Sequence, residues 1–509
     1  MQLSKATIKN IQPQTGLIIP DEQLLSLPEK VLQFGTGVLL RGLPDYFIDK
    51  ANRQGIFNGR VVVVKSTSSG GTDEFAQQDG LFTHCIRGIE NGQQVEEMVI
   101  NSSISKVLSA NDDWKKILGY AQRPEMQVII SNTTEVGIVL SDDKITDQPP
   151  SSFPGKLLAF LWERYSAFNG TEESGMVIVP TELISDNGTL LRSIVVELAI
   201  KNKLEEKFIS WLQTANHFCN SLVDRIVPGK LAGDDKIVTE KKLGYADDLM
   251  IMSECFRLWA IESGSQRVKD ILSFIKADTG IVIAPDITKF RELKLRLLNG
   301  THTFSCGLAF LAGFETVKEA MRDQTMSSYI HGLMTQEIAV AMSCAMISYE
   351  EACVFAGKVM DRFSNPFLDH KWISIAMNYT SKIKMRNVPL LLKHYEKHTT
   401  VPALMALGFA GYLLFMKAEA GKDNVYSGYK NGKKYPVQDP QAGQLATYWQ
   451  QSDTKKLVKA VLADQNLWET DLSLLPGFVE AVNEALNQLM NKGVAAILQE
   501  TQEQKEMVR

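Results

Sequence analysis

The stretch VLQFGTGVLLRG, residues 31–42, decides the fold. Its apolar run VLQF leads straight into Gly35-Thr36-Gly37 and then into a helical pattern, LLRGLPDYFIDKA. Glycines at a strand-to-helix turn let the backbone approach a pyrophosphate, whose charge the helix N-terminus then holds. The third glycine of a G-x-G-x-x-G fingerprint would fall at Leu40, so the signature is incomplete, and the alternative is a tight turn that holds no ligand. Further out lie KVLQF (30–34), RVVVVKS (60–66), MQVIISN (126–132) and GMVIVPTEL (175–183). Short Val/Ile-rich runs separated by crossover-sized segments predict parallel strands in βαβ units, buried on both faces. After the second run an NAD site of the common type places an acid for the ribose hydroxyl. Here Lys65-Ser66-Thr67 stands instead, a cation and hydroxyls that would suit a 2′-phosphate, so NADP stays open beside NAD.

The chain has 509 residues, 44% of them hydrophobic and 22% charged, which is the composition of an ordinary globular protein with material for two to four domains. With 54 basic against 59 acidic side chains the net charge is −5, and no basic stripe with interleaved aromatics occurs, so neither nucleic acid nor a membrane surface is an expected partner. Six cysteines (Cys85, Cys219, Cys255, Cys306, Cys344, Cys353) are spread singly, which fits neither a zinc ribbon nor a disulfide framework and suggests a reducing, cytoplasmic setting. The N-terminal residues carry no apolar signal region. The apolar stretch Val401 to Met416 is shorter than a membrane span and contains Pro402, Gly408 and Gly411, so a buried helix is expected there.

From about residue 285 onward the β-branched runs give way to apolar positions at three and four spacing, the signature of helices. The junction is placed at IVIAPDITKF (281–290), where Pro285 and Asp286 precede a helical pattern. The expected architecture is α/β plus all-α: a Rossmann-like dinucleotide-binding domain over 1–284 and a mainly helical domain over 285–509. Residues 421–440, dense in Gly, Lys, Asn and Pro, read as an exposed loop or hairpin.

Within the helical half, RELKLRLLNGTHTF carries Lys294, Asn299 and His302. At about 100° per residue, Asn299 lies roughly 140° and His302 roughly 80° from Lys294, so the three fit one helix face. A lysine gives its proton to a carbonyl oxygen when burial or neighbouring cations, here Arg291 and Arg296, draw its pKa from about 10.4 toward neutrality. An amide and an imidazole can hold the developing alkoxide. The alternative is a plain polar face. Tyr426 and Lys430 spell the Tyr-x-x-x-Lys of short-chain dehydrogenases, but in a Gly/Lys loop far from the glycine turn.

Gly35-Thr36-Gly37 with Arg41, followed in order by Lys294, Asn299 and His302, resembles the polyol-specific long-chain dehydrogenases, the mannitol dehydrogenase family. SNTTEVG (131–137), SDNG (185–188), NSLVDRIVPG (220–229), RFSNP (362–366) and YPVQD (435–439) extend the resemblance over nearly the whole chain. It implies metal-independent hydride transfer with NAD(H), Lys294 as general acid/base and Asn299 with His302 stabilising the oxyanion. It also implies a cofactor site that takes in Gly35, Thr36, Gly37, Arg41, Lys65, Asn132 and Thr133, with Asp224 and Arg362 near the substrate. QFGTGVLLRG, SNTTE, LVDRIV and LLNGTHT are most similar to the hexuronate-reducing members, whose substrates are keto sugar acids. Such a substrate needs its carboxylate recognised, and Arg362 and His370 are chosen for that from the basic segment 362–386. Where polyol enzymes carry an Asn ahead of SDNG, this chain has Leu183 or Glu182, so its substrate contacts differ from those of mannitol. Another hexuronate, an uncharged polyol and a nucleotide-binding protein without catalysis are the remaining alternatives. A monomer or weak homo-oligomer is expected.

Overall fold

The computed structural model describes residues 1–66, 71–133, 137–422 and 425–507. It divides into two compact units, residues 1–87 with 94–287, and residues 88–93 with 288–509.

The centre of the first unit is a six-stranded sheet built from β1 (Glu29–Phe34), β2 (Arg60–Lys65), β3 (Ile104–Ser109), β4 (Val128–Ser131), β5 (Val177–Pro180) and β6 (His217–Phe218). All neighbours pair in parallel in the order β3-β2-β1-β4-β5-β6, the doubly wound order of a dinucleotide-binding fold. Side chains alternate between two apolar clusters. Val31, Val61, Val63, Val128 and Ile130 pack with Leu40 and Phe47 on one face. Leu32, Phe34, Val62, Val64 and Ile129 pack with Leu157 and Phe160 on the other. A strand covered on both faces needs apolar residues at successive positions, which is why these runs read as continuous Val/Ile.

The order reverses between β1 and β4, and at such a switch point the loops leaving two adjacent strands diverge and open a crevice. Those loops are Gly35–Gly37 and Asn132–Thr133. The turn after β1 enters a short helix, α1 (Val38–Gly42), which breaks at Leu43 (φ −131°, ψ −75°) before α2 (Pro44–Arg53).

The second unit is helical. One continuous helical run covers residues 288–312, in which Leu293–Gly300 is π-helical and α3 (Thr301–Ala312) is regular. Two more π segments, Leu333–Ile338 and Ile383–Asn387, belong to the same unit. The remaining elements used below are α4 (Tyr349–Phe363), α5 (Tyr379–Lys382) and the buried α6 (Ala403–Phe415). The backbones of α3 and α6 meet closely, since a Cβ on Gly307 would stand 2.4 Å from the Gly411 carbonyl oxygen. Within 421–440, Tyr426–Lys430 and Lys433–Pro436 form a hairpin of a small antiparallel sheet and join through Asn431-Gly432 at positive φ. Tyr426 and Lys430 lie on one strand of it and not on a helix. Among the described residues no helix is long and apolar enough to cross a membrane.

Candidate active site

In the first unit the glycine turn is shaped by two different demands. Gly35 has φ +126°, and a Cβ there would lie 2.8 Å from the Asn132 carbonyl oxygen and 2.9 Å from Leu40 Cδ1. Only glycine satisfies both the dihedral and the contact. Gly37 has φ −62° and a Cβ on it would meet nothing within 4 Å, so the chain itself places no demand for glycine there. A glycine that the fold does not need, exposed at the switch point, fits a ligand that must approach the backbone. Thr36 is half-buried between them.

The loop after β4 is fixed from the neighbouring strand. Asn132 donates through Nδ2 to the Thr181 carbonyl (3.0 Å) and to Thr181 Oγ1 (3.1 Å). Glu182 accepts from the Thr133 backbone N–H (2.9 Å), from Thr133 Oγ1 (3.1 Å) and from Ser131 Oγ (3.2 Å). The Glu182 carboxylate is thus a buried clamp, whereas the next side chain, Leu183, is 62% exposed. Asn187 of SDNG is also internal. Its Nδ2 donates to the carbonyls of Pro180, Glu182 and Ser221, and its Oδ1 accepts from Ser221 N. Asp224 ends the strand Ser221–Asp224 and is buried. Lys65 ends β2, opposite Ser109, and is 9% exposed, while Thr67 lies outside the described residues.

Arg41 departs from its expected place beside a cofactor phosphate. Because α1 breaks at Leu43, the guanidinium turns inward, 2% exposed, where it donates to the Leu249 carbonyl (2.5 Å) and lies over the Phe75 and Phe82 rings. Burial lowers its pKa to about 10, opposed by the charges of Asp45, Asp247 and Glu74. Asp45 is fully buried beside it, and burial raises its carboxyl to about 7 against the Gln33 hydrogen bond and the Arg41 charge. Gln33 donates to Asp45 Oδ2 (3.3 Å) and to the Gly35 carbonyl (3.4 Å), tying this pair to the turn.

In the second unit, Lys294 and Asn299 lie on the π segment, both half-buried. A π-helix closes its hydrogen bonds between residues five apart and turns less per residue than an α-helix, so these two lie nearer one face than in a regular helix. The roughly 140° offset expected for a regular helix is therefore reduced. The segment is held in this form by side chains that take up its own and its neighbour's carbonyl groups. Arg296 donates to the carbonyls of Met385 (2.7 Å) and Arg386 (3.0 Å), and Asn387 donates to that of Gly300 (2.9 Å). Arg296 also pairs with Glu292 (3.3 Å), so its charge is neutralised within the helix.

His302 follows on the first turn of α3, 8% exposed. Its ring stacks on Phe363 (4.0 Å, 4° between planes) and meets Trp372 and His370 edge-on at 5.9 and 5.3 Å. Burial holds its pKa well below the usual histidine value, helped by the charges of His370, Arg362, Arg386 and Lys382. The imidazole is therefore neutral at neutral pH, and its Nε2 has no partner among the described residues. Arg362, buried in the last turn of α4, and exposed His370 both stand beside it. The basic segment divides further: Lys371 pairs with Glu315 (3.0 Å) and Lys384 with Glu469 (2.7 Å), while Lys382 and Arg386 face α3. The aromatic wall of Phe363 and Trp372 was not among the expected site residues, although Phe363 stands in the RFSNP segment itself.

Two family models match the chain, the mannitol dehydrogenase Rossmann domain over residues 29–271 and the mannitol dehydrogenase C-terminal domain over 286–490. The altronate oxidoreductase of Shigella flexneri is 37% identical over 477 residues, covering 92% of this chain and 95% of that protein. That of Halalkalibacterium halodurans is 36% identical over 480 residues, 92% of each. Among solved structures, a D-sorbitol dehydrogenase in substrate-free form matches with a TM-score of 0.79 at 18% identity, over 98% of this chain and all of that one. Pseudomonas fluorescens mannitol 2-dehydrogenase, in a ternary complex with NAD and D-mannitol, matches with a TM-score of 0.68 at 22% identity, over 99% of this chain and all of that one. A doubly wound sheet with its glycine turn at the switch point, a helical unit carrying Lys294, Asn299 and His302, and matches over both halves lead to one statement: this chain belongs to the mannitol dehydrogenase family.

Proposed function

We propose that the protein reduces D-tagaturonate to D-altronate, reversibly, with NADH. The observation that carries this reading is one helical run that bears Lys294 and Asn299 on its π segment and a neutral, buried His302 on the turn that follows, in a chain 36–37% identical to altronate oxidoreductases over 92% of its length. The bound nicotinamide supplies the hydride. Lys294, as ammonium, donates the proton to the ketone oxygen in reduction and takes it back in oxidation. The Asn299 amide and the unpartnered Nε2 of His302 hold that oxygen as negative charge develops. A neutral imidazole suits that task, since it does not compete with Lys294 for the proton. Gly35, Thr36 and Gly37 would hold the pyrophosphate, with Asn132, Thr133 and Lys65 as the further residues that would hold the cofactor. Arg41, turned inward to the Leu249 carbonyl, acts on this site through the turn. Arg362 and His370 address the substrate carboxylate, and Asp224 a hydroxyl. A reducing, cytoplasmic setting belongs to this reading and is supported by six cysteines that form no disulfide.

Initial rates of nicotinamide oxidation, with NADH and NADPH each offered against tagaturonate, fructuronate and fructose, test it. Fastest turnover is expected for NADH with tagaturonate. Preference for fructose would move the enzyme to the polyols, and preference for NADPH would bring Lys65 forward as a 2′-phosphate contact.

The glycine turn gives a paired prediction. Gly37→Ala should leave thermal unfolding unchanged and weaken NADH binding about tenfold, roughly 1.4 kcal/mol. Gly35→Ala should lower stability by about 1–3 kcal/mol, because φ +126° and the Asn132 carbonyl both resist a side chain. Equal losses of stability in the two variants would mean that Gly37 serves the fold and not a ligand.

A further inference from the structure

We propose that Lys382 and Arg386 form the anion-binding part of the substrate site and select a ligand that carries a carboxylate. This rests on the proposed reduction of a keto sugar acid and adds two residues to Arg362 and His370 as partners of that acid's charge.

The argument begins with Tyr379, whose hydroxyl donates to the Thr303 carbonyl (2.8 Å) and accepts from the Gly307 N–H (2.8 Å). That fixes one face of the run from α5 through Ile383–Asn387 along α3, starting one residue beyond His302. Lys382, three residues after Tyr379, shares that face. Arg386 reaches the same place directly, donating through Nη1 to Thr303 Oγ1 (3.2 Å), which donates in turn to the Asn299 carbonyl (2.7 Å).

Neither cation has a carboxylate within salt-bridge distance among the described residues. Lys382 donates only to the Ile375 carbonyl (2.8 Å). The acid that faces it, Asp439, has its two oxygens engaged by the backbone N–H groups of Thr380 (2.7 Å) and Gln441 (2.8 Å). Of the other basic residues, Lys371 pairs with Glu315, Lys384 with Glu469, and both Arg296 and Lys393 with Glu292, while His370 feels the charges of both Lys382 and Arg362. Two like charges four residues apart, partly withdrawn from water, oppose each other unless an anion joins them. Burial lowers the pKa of both, and for Lys382 the Arg386 charge adds to it. A short ammonium beside a planar guanidinium matches the two oxygens of a carboxylate.

A cofactor phosphate offers the same anionic chemistry, so the test separates the two sources. Lys382→Met, Arg386→Met and Arg386→Lys are assayed beside the parent with NADH against tagaturonate and fructose. Each Met variant should raise the tagaturonate KM at least about tenfold and lower the ratio of kcat/KM for tagaturonate over fructose by a similar factor. Arg386→Lys keeps the charge, loses the fork and should fall between. A tagaturonate KM unchanged in both Met variants, in an enzyme whose parent reduces tagaturonate, overturns this inference and leaves the proposed function standing. A rise in the NADH KM alone overturns it in favour of a phosphate contact. A parent that prefers fructose overturns the proposed function itself and the carboxylate with it.

Discussion

Lys294→Met should reduce kcat in both directions by roughly 10²–10⁴-fold, about 3–5 kcal/mol of transition-state stabilisation. Methionine keeps the length and much of the volume of the side chain on the half-buried π segment, so the packing of the helix is retained. What is lost is the ammonium that the proposed site offers to a ketone oxygen. Because the proton moves in the chemical step, the loss should fall on kcat, with the KM for tagaturonate moving far less and NADH binding unchanged. The pH profile carries a second expectation. His302 is held neutral by burial and by the cations around it, so its titration should leave no break in parent activity between about pH 6 and 8. Measured kcat for Lys294→Met within threefold of the parent would remove Lys294 from proton transfer. A break near the usual histidine value that vanishes in His302→Asn would make the imidazole the proton carrier instead.

The glycine turn of the first unit and the Lys294 helix of the second were unequally legible in the sequence. The Val/Ile runs and Gly35 were readable because a strand buried on both faces and a turn at positive φ each restrict residue type locally. Arg41 was misleading for a local reason as well. Its position after the glycine turn suggests a phosphate contact, yet the break at Leu43 turns it toward the Leu249 carbonyl, some 200 residues away in the chain. The order Lys294, Asn299, His302 falls on one helical run, but angles taken from a regular helix do not hold where Leu293–Gly300 is π-helical. Five-residue spacing fits a polar face in either helix type, and what stabilises the π form is Arg296 and Asn387 trading carbonyl contacts across about 90 residues. No pattern near Lys294 reports that. The same holds for Lys382 and Arg386, which look in sequence like Lys371 and Lys384. Only the structure separates paired charges from unpaired ones.

Asp45→Asn should make the protein more stable at pH 8, by up to about 4 kcal/mol. The carboxyl is fully buried, and its Oδ1 and the neighbouring Gln33 Oε1 are both acceptors with no donor among the described residues. A group raised from 3.8 to about 7 in the folded state holds its proton there while the unfolded chain has released it. Between those values folding takes up a proton, so this residue's contribution falls as pH rises from about 4 to 7 and is level above. Buried His302 works in the opposite sense, since its proton is bound by the unfolded chain first, and stability gained from it rises with pH through the ordinary histidine range. The amide introduced by Asp45→Asn has no proton to take up and can donate to Gln33 Oε1, which also steadies the side chain that touches the Gly35 carbonyl. Thermal unfolding of parent and variant across pH 4–8 should therefore diverge steadily, with the variant ahead at the alkaline end and the gap closing toward pH 4. A variant that is less stable by the same amount at every pH would show Asp45 to be an ionised partner of Arg41, and the neutral acid beside the glycine turn would have to be given up.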